Sequence, residues 1–145
     1  MPDQLDLRQT GLKECARILH VDDNSAIAAA VAHFLTGKGY EVETATSGAE
    51  ALARVLEWPE AYDLIITDYS MPEITGLQWT KALRGTGYSG EILVFSSSLP
   101  KGVEEKFHAL GVRRILHKSA HFESLYQTVE EMLSESGSTD SEVAP

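Results

Sequence analysis

Residues 62–68 read YDLIITD, an apolar run that ends abruptly in an aspartate. The run is too short for a helix, and its length and composition suit a strand that is buried on both faces. A second run, RILHV at residues 17–21, ends in two further aspartates. Two short buried strands that both end in acidic residues indicate a parallel sheet with polar groups along one edge.

Helical and extended patterns alternate along the rest of the chain. Further strands are predicted at residues 40–45, 91–95 and 112–117, and an apolar stripe at residues 122–133 predicts the last of five helices. Five strands that are each followed by a helix predict an α/β fold with a parallel sheet covered on both faces. A closed eight-stranded barrel needs about 200 residues or more, so the sheet is expected to be open. Right-handed crossovers favour the flavodoxin-like, doubly wound order 2-1-3-4-5.

Capping residues mark where several of these helices should begin. Asn24 or Ser25 is expected to cap the first helix, and Ser47 the second. Pro100 suits the opening of the fourth helix, because its ring fixes a helical φ and its missing N–H is not needed there.

The chain of 145 residues has the length of one ordinary domain. We predict an N-terminal arm at residues 1–15, a folded domain at 16–133 and a flexible acidic tail at 134–145, because the tail contains little apolar matter. No effector domain is predicted after residue 134, so the domain is expected to stand alone.

Charge and cysteine content exclude several classes of function. Twelve basic and 22 acidic residues give a net charge of −10, which disfavours nucleic acid and anionic lipid as partners. No apolar stretch approaches the roughly 18 residues of a membrane span. The N-terminus has no hydrophobic signal core, and the single cysteine, Cys15, suits a reducing compartment, so a cytoplasmic location is expected.

Polar residues collect where the predicted strands end. Asp22 and Asp23 follow the first strand, Asp68 the third, Ser96 the fourth and Lys118 the fifth. In the order 2-1-3-4-5 the first and third strands are neighbours, so three carboxylates should share one crevice at the ligand-binding edge. A bound divalent cation would relieve their repulsion, and an all-oxygen site suits Mg²⁺. Asp68 would then be a nucleophile that attacks phosphorus and forms an aspartyl phosphate, while Lys118 and Ser96 bind the phosphoryl oxygens.

The sequence resembles the receiver domains of two-component response regulators. The resemblance covers about residues 16–133 and rests on ILHVDDN at 18–24, DLIITDYSMP at 63–72 with GL at 76–77, VFSS at 94–97 and Lys118, together with GYEV at 39–42 and GAEAL at 48–52. It implies a phosphoprotein of two-component signal transduction or a phosphorelay, with the fold of the chemotaxis regulators. A histidine kinase or a histidine phosphotransfer protein would be the phosphodonor.

The resemblance also implies a role for each residue of the site. Asp68 is expected to be the phosphoacceptor, with Lys118 assisting the transfer. Asp22, Asp23, Asp68 and the backbone carbonyl of Ser70 are expected to hold Mg²⁺.

Three positions depart from the family pattern. Ser96 and Lys118 are expected to read the phosphorylated state, but the switch aromatic of strand five is replaced by Ile115. Ser119 stands where the family has a proline after a cis peptide bond, so this loop is expected to be shaped differently. At the position after Ser96 the family usually has a small residue, and Ser97 at this position is a mild change.

Three functions remain open at this stage. The leading hypothesis is a response regulator without enzymatic activity of its own, whose output is an unknown downstream protein, a homodimer or a phosphorelay step. The second is a receiver-like interaction module that does not use phosphorylation. The third is a Mg²⁺-dependent phosphohydrolase, which is disfavoured because the loop after Asp68 offers Ser70 and Glu73 but no second catalytic aspartate.

Overall fold

The computed structural model describes the backbone of residues 15–143 and the side chains of residues 15–134. Within these residues five strands alternate with five helices. The strands are β1 (Arg17–Val21), β2 (Glu41–Ala45), β3 (Leu64–Thr67), β4 (Ile92–Ser96) and β5 (Arg114–His117). The helices are α1 (Ser25–Gly37), α2 (Gly48–Glu57), α3 (Gly76–Gly85), α4 (Val103–Ala109) and α5 (Phe122–Val143). No described helix is both long enough and apolar enough to cross a membrane.

All neighbouring strands are parallel and lie in the order β2-β1-β3-β4-β5, which confirms the predicted topology. The register aligns the strand ends: Val21 of β1 pairs with Ala45 of β2 and with Thr67 of β3, and Ser96 pairs with His117. Residues that follow these pairs therefore emerge along one edge of the sheet. That edge is the place where open parallel sheets bind ligands.

Alternate side chains of the central strands enter two separate cores. Leu19, Ile65 and Val94 belong to the core under α2, α3 and α4, whereas Ile66 and Leu93 belong to the core under α1 and α5. These strand residues are fully buried, which explains why the strands read as continuous apolar runs.

The helix starts agree with the capping analysis in two cases and differ in one. Asn24 accepts a hydrogen bond from the N–H of Ile27, and Ser47 accepts one from Glu50, so both act as N-caps. Helix α4 begins at Val103 and not at Pro100. Pro100 instead opens a turn in which the N–H of Val103 donates to its carbonyl at 3.1 Å.

The last helix does not end where the apolar stripe ends. It continues to Val143, so the boundary at residue 133 lies within an element. Once a helix is nucleated, each added residue gains a backbone hydrogen bond without needing an apolar face, which lets the polar segment continue it. Residues 1–14 of the N-terminal arm predicted at 1–15 lie outside the described residues, and the division into arm, domain and flexible tail stays a prediction.

Candidate functional site

Three carboxylates meet at the carboxyl edge of the sheet. Asp22 follows β1, Asp68 follows β3, and Asp23 stands beside Asp22, with one oxygen of each lying within 4.8 Å of the others. Asp22 is fully buried and Asp68 nearly so, whereas Asp23 is exposed. The adjacency of β1 and β3 brings the first two together, because their last residues are paired in register. The predicted acidic crevice is therefore present in the structure.

Lys118 bridges the two buried carboxylates. Its Nζ donates to Oδ2 of Asp22 and to Oδ2 of Asp68, both at 2.8 Å. The loop after β5 holds this lysine in place, since its backbone N–H donates to the carbonyl of Ser96 at 2.9 Å. Burial alone would lower the pKa of Lys118, but the hydrogen bonds and the charges of Asp22 and Asp68 outweigh it and raise that pKa. Lys118 is therefore protonated at neutral pH and places a positive charge between the two carboxylates.

Backbone N–H groups hold the second oxygen of each carboxylate. Oδ1 of Asp22 accepts from the N–H of Asn24 at 2.9 Å, and Oδ1 of Asp68 accepts from the N–H of Tyr69 at 2.7 Å. Both side chains are thus fixed at two points. A preoriented carboxylate loses little freedom when it binds a cation or attacks an electrophile.

The side chains of the other predicted site residues make no hydrogen bond to Asp22, Asp68 or Lys118 within the described part of the chain. Ser96 is nearly buried at the end of β4, where its hydroxyl donates to the carbonyl of Ser98 at 3.3 Å. Ser70 is exposed in the loop after Asp68. Ile115 is half-buried on β5 and packs against the core under α2, α3 and α4.

Hydrogen bonds between His117 and Ser119 hold the backbone on either side of Lys118. No peptide bond of the described residues is cis, so Ser119 follows Lys118 through a trans bond. The N–H of Ser119 donates to Nδ1 of His117 at 3.0 Å, and its Oγ lies 2.7 Å from the same nitrogen. The loop therefore has a local closure that does not depend on proline.

Two residues behind Asp68 were missed by the sequence analysis. Thr67 donates its hydroxyl proton to the carbonyl of Asp68 at 2.8 Å and accepts a hydrogen bond from the indole N–H of Trp79 at 2.9 Å. Both are fully buried. Nothing in the local pattern predicts this contact, because Thr67 reads as a strand residue and Trp79 as a core position of a helix.

A buried histidine lies just below the crevice. His20 is on β1, fully buried, and neither ring nitrogen has a hydrogen-bond partner among the described residues. Burial lowers the pKa of His20 to about 4, despite the opposing charge of Asp22. The ring is therefore neutral at pH 7.

The donor set fits Mg²⁺. The carboxylates of Asp22, Asp23 and Asp68 are hard oxygen donors, and the exposed position of Asp23 leaves room for the waters that Mg²⁺ usually retains. No sulfur or imidazole ligand belongs to this group, which disfavours softer metals.

Comparisons with known proteins agree with this arrangement. A family model described as the response regulator receiver domain matches residues 18–130. The transcriptional regulatory protein GlrR of Escherichia coli is 36% identical over 123 residues, which cover 83% of this chain and 27% of that protein. The chemotaxis protein CheY4 of Vibrio cholerae superposes with a TM-score of 0.73 at 34% identity, covering 81% of this chain and 98% of the other. The response regulator TrrA of Thermotoga maritima, solved in complex with Mg²⁺-BeF, gives 0.71 at 30% identity and covers 80% and 97%.

The chain belongs to the family of response regulator receiver domains, which are signalling modules. It spans 19% of two-component system protein A of Emericella nidulans, 27% of GlrR and 34% of MprA of Mycobacterium tuberculosis. The shared part is therefore the receiver domain and not the whole of these regulators.

Proposed function

We propose that this receiver domain accepts a phosphoryl group on Asp68 and passes the signal on through contacts with another protein. The observation that carries the proposal is the bridge of Lys118 between Asp22 and Asp68, with Asp23 alongside. A carboxylate that receives a phosphoryl group needs positive charge around it, which Lys118 supplies directly and which Asp22 and Asp23 would supply by holding a cation.

Asp22, Asp23, Asp68 and the backbone carbonyl of Ser70 would hold the Mg²⁺. When bound, the ion supplies positive charge that lets a carboxylate and the phosphoryl oxygens approach one another. The remaining steps use the chain's own groups. A carboxylate oxygen of Asp68 attacks phosphorus in line, the new O–P bond forms, and the bond from phosphorus to a histidine nitrogen of the donor breaks. The donor imidazole recovers a proton from solvent.

Lys118 and Ser96 would bind the transferred group. The Lys118 ammonium already touches Asp68, so only a small movement is needed to pair it with a phosphoryl oxygen. Ser96 would turn its hydroxyl from Ser98 towards the same group. Ile115 would take the position behind Ser96 that a switch aromatic has in the family.

The proposed partners are proteins. A histidine kinase or histidine phosphotransfer protein would donate the phosphoryl group in the cytoplasm, and a downstream protein or a second copy of this chain would receive the signal. The net charge of −10 argues against direct binding of nucleic acid or an anionic membrane. We propose no independent enzymatic activity.

Intact-mass measurement after incubation with acetyl phosphate and Mg²⁺ tests the proposal. The wild type should gain about 80 Da, the mass of one phosphoryl group. Asp68→Asn should gain nothing, whereas Glu57→Gln, an exposed carboxylate-to-amide change at the end of α2, should behave as the wild type. A wild type that gains no mass would instead support an interaction module that does not use phosphate, which Ile115 and Ser119 also favour.

A further inference from the structure

A chain of hydrogen bonds connects helix α3 to the backbone of Asp68. The indole Nε1–H of Trp79 donates to Oγ1 of Thr67 at 2.9 Å, and that hydroxyl donates to the carbonyl oxygen of Asp68 at 2.8 Å. Trp79 and Thr67 are both fully buried. An indole can only donate, so its proton needs this acceptor, and the hydroxyl is left with one direction in which to donate. The hydrogen bonds of this chain, which we call the relay, are therefore all donated in one direction, from Trp79 through Thr67 to Asp68.

The Asp68 carbonyl, which accepts from Thr67, lies in the same peptide plane as the Tyr69 N–H, which holds the Asp68 side chain. The Asp68 carbonyl and the Tyr69 N–H belong to one peptide unit, which is planar. That N–H donates to Oδ1 of Asp68 at 2.7 Å. Fixing the carbonyl direction therefore fixes the direction of the N–H, and with it the orientation of the Asp68 carboxylate.

Gly76, the first residue of helix α3, also packs closely against the backbone beside Asp68. The N–H of Gly76 donates to the carbonyl of Tyr69 at 2.7 Å. A Cβ atom at position 76 would overlap the Asp68 carbonyl oxygen, so only glycine lets the helix approach so closely. The same helix thus reaches the peptides around Asp68 directly through Gly76 and, one turn later, through Trp79 by way of the Thr67 hydroxyl.

We propose that Trp79 is a positioning residue for the phosphoacceptor. Acting through Thr67, it fixes the plane of the Asp68–Tyr69 peptide and so holds the Asp68 carboxylate in the orientation in which Lys118 and the incoming phosphorus meet it. This inference rests on the proposed function. It adds a role for two buried residues that are bonded to the Asp68 backbone and not to the carboxylate oxygens proposed to hold Mg²⁺.

The variants for the test remove the relay at each end. Trp79→Phe keeps an aromatic ring and deletes the N–H, Thr67→Val deletes the hydroxyl with little change in shape, and Thr67→Ser restores it. Trp58→Phe is the matched control, because Trp58 is two-thirds exposed and lies at the end of α2. It also leaves Trp79 as the one tryptophan of the chain, which assigns its indole signal.

Two measurements are made on folded protein, with unfolding curves as the check of folding. The first is the maximal rate of phosphorylation and the half-saturating concentration of acetyl phosphate. Thr67→Val and Trp79→Phe should each lower the maximal rate by about tenfold through misorientation, with the half-saturating concentration little changed. Thr67→Ser and Trp58→Phe should match the wild type. The double variant that combines Thr67→Val with Trp79→Phe should be no slower than Thr67→Val alone, because both changes break the same chain of hydrogen bonds.

The second measurement is the NMR shift of the Tyr69 amide proton, which needs no phosphodonor. The proton should lie downfield in wild type and Thr67→Ser, and move upfield in Thr67→Val and Trp79→Phe. A purely structural role would lower stability but leave this shift and the maximal rate of the folded fraction unchanged, which would overturn the inference.

The outcomes separate the two proposals. A wild type that gains no phosphoryl group would overturn the proposed function, and with it the kinetic part of this inference. A phosphorylated wild type with unchanged rates in Thr67→Val would overturn this inference alone. If Trp79→Phe does not fold, the comparison of Thr67→Val with Thr67→Ser decides.

Discussion

His20 is a single residue whose burial should affect the stability of the whole domain. Its ring nitrogens have no partner among the described residues, and burial lowers its pKa to about 4 from the ordinary value of 6.5. As pH falls from 6.5 to 4, the unfolded chain protonates this histidine while the folded chain does not. Stability is therefore lost across that window, by about 3 kcal/mol in free energy of unfolding.

The test compares His20→Leu with wild type by chemical denaturation at pH 7.5, 5 and 4. The variant should be at least as stable at pH 7.5, because it removes an unsatisfied buried polar ring. It should also lose less stability on acidification. His33→Leu, an exposed histidine on α1, is the control and should follow the wild type. Parallel acid curves for His20→Leu and wild type would contradict the prediction.

Asp23 provides a second prediction for a single residue. Its side chain is exposed at the mouth of the crevice, within reach of the oxygens of Asp22 and Asp68. Mg²⁺ should bind the folded cluster and not the unfolded chain, so it should stabilise the fold by about 2.7 kcal/mol at 100 times its dissociation constant. Melting curves with and without Mg²⁺ should show a smaller gain in Asp23→Asn than in wild type. An equal gain in both would remove Asp23 from the metal site.

The charged residues of the site were predictable from sequence, whereas the residues that support Asp68 from behind were not. Asp22, Asp68 and Lys118 follow strand patterns, and the order of a parallel sheet brings such residues together. Thr67 and Trp79 are twelve residues apart on a strand and a helix. Their contact depends on the packing angle of α3 on the sheet, which residue patterns do not specify.

At the scale of elements, the loops after β3 and β4 are expected to control the lifetime of the aspartyl phosphate. Ser70 and Ser98 are the residues two positions beyond Asp68 and Ser96, and we expect them to border the approach of a hydrolytic water. Neither carries a carboxylate or carboxamide that could orient that water. The combined change Ser70→Asn and Ser98→Glu should therefore speed decay by about tenfold.

Intact mass followed over time after removal of the donor measures this decay. The double variant Ser70→Ala and Ser98→Ala is the control, and its aspartyl phosphate should decay as slowly as that of the wild type. Unchanged or slower loss of phosphate in the Asn/Glu variant would defeat the prediction.

Two helix boundaries, the start of α4 and the end of α5, differ from the sequence prediction, and local features of the chain explain both. Pro100 is a favourable first helical residue, but Gly102 adopts a left-handed φ of 87° and lets the chain turn before α4 begins. The end of α5 was set by the apolar stripe, whereas a helix can continue through polar residues once it is formed. The strands β1, β3 and β4 were placed more closely, because their burial requires continuous apolar runs.

At the scale of the molecule, the proposed function requires that the signal pass from one edge of the sheet to a surface. Tyr69 follows Asp68 directly, and its ring meets that of Phe107 on α4 edge-on at 6.4 Å between centroids. Ser96 is joined by hydrogen bonds to Ser98 and to the backbone of Lys118. These contacts connect Asp68, the proposed phosphoacceptor, to the β3–α3 and β4–α4 loops and to α4.

Strand β5 offers a weaker route. Ile115 has no ring to turn inward, and its branched side chain has few rotamers, so it is a poor two-position lever. It is also packed against the core under α2, α3 and α4, which restricts it further. A ligand shifts a conformational equilibrium only by its difference in affinity for the two states, so signalling through β5 needs a second position of Ile115 that phosphorylation stabilises.

We therefore expect phosphorylation to act mainly through the loops after Asp68 and Ser96. Amide NMR shifts measured with Mg²⁺ alone and with Mg²⁺ and beryllofluoride should change most in those loops and at the start of α4, because they contain the groups that meet the phosphoryl oxygens. Ile115→Tyr supplies the missing ring and should extend the changes to β5 and the exposed face of α5. Changes on β5 and α5 of the wild type as large as those beside Asp68 would mean that the molecule switches without the aromatic lever, and the prediction would be wrong.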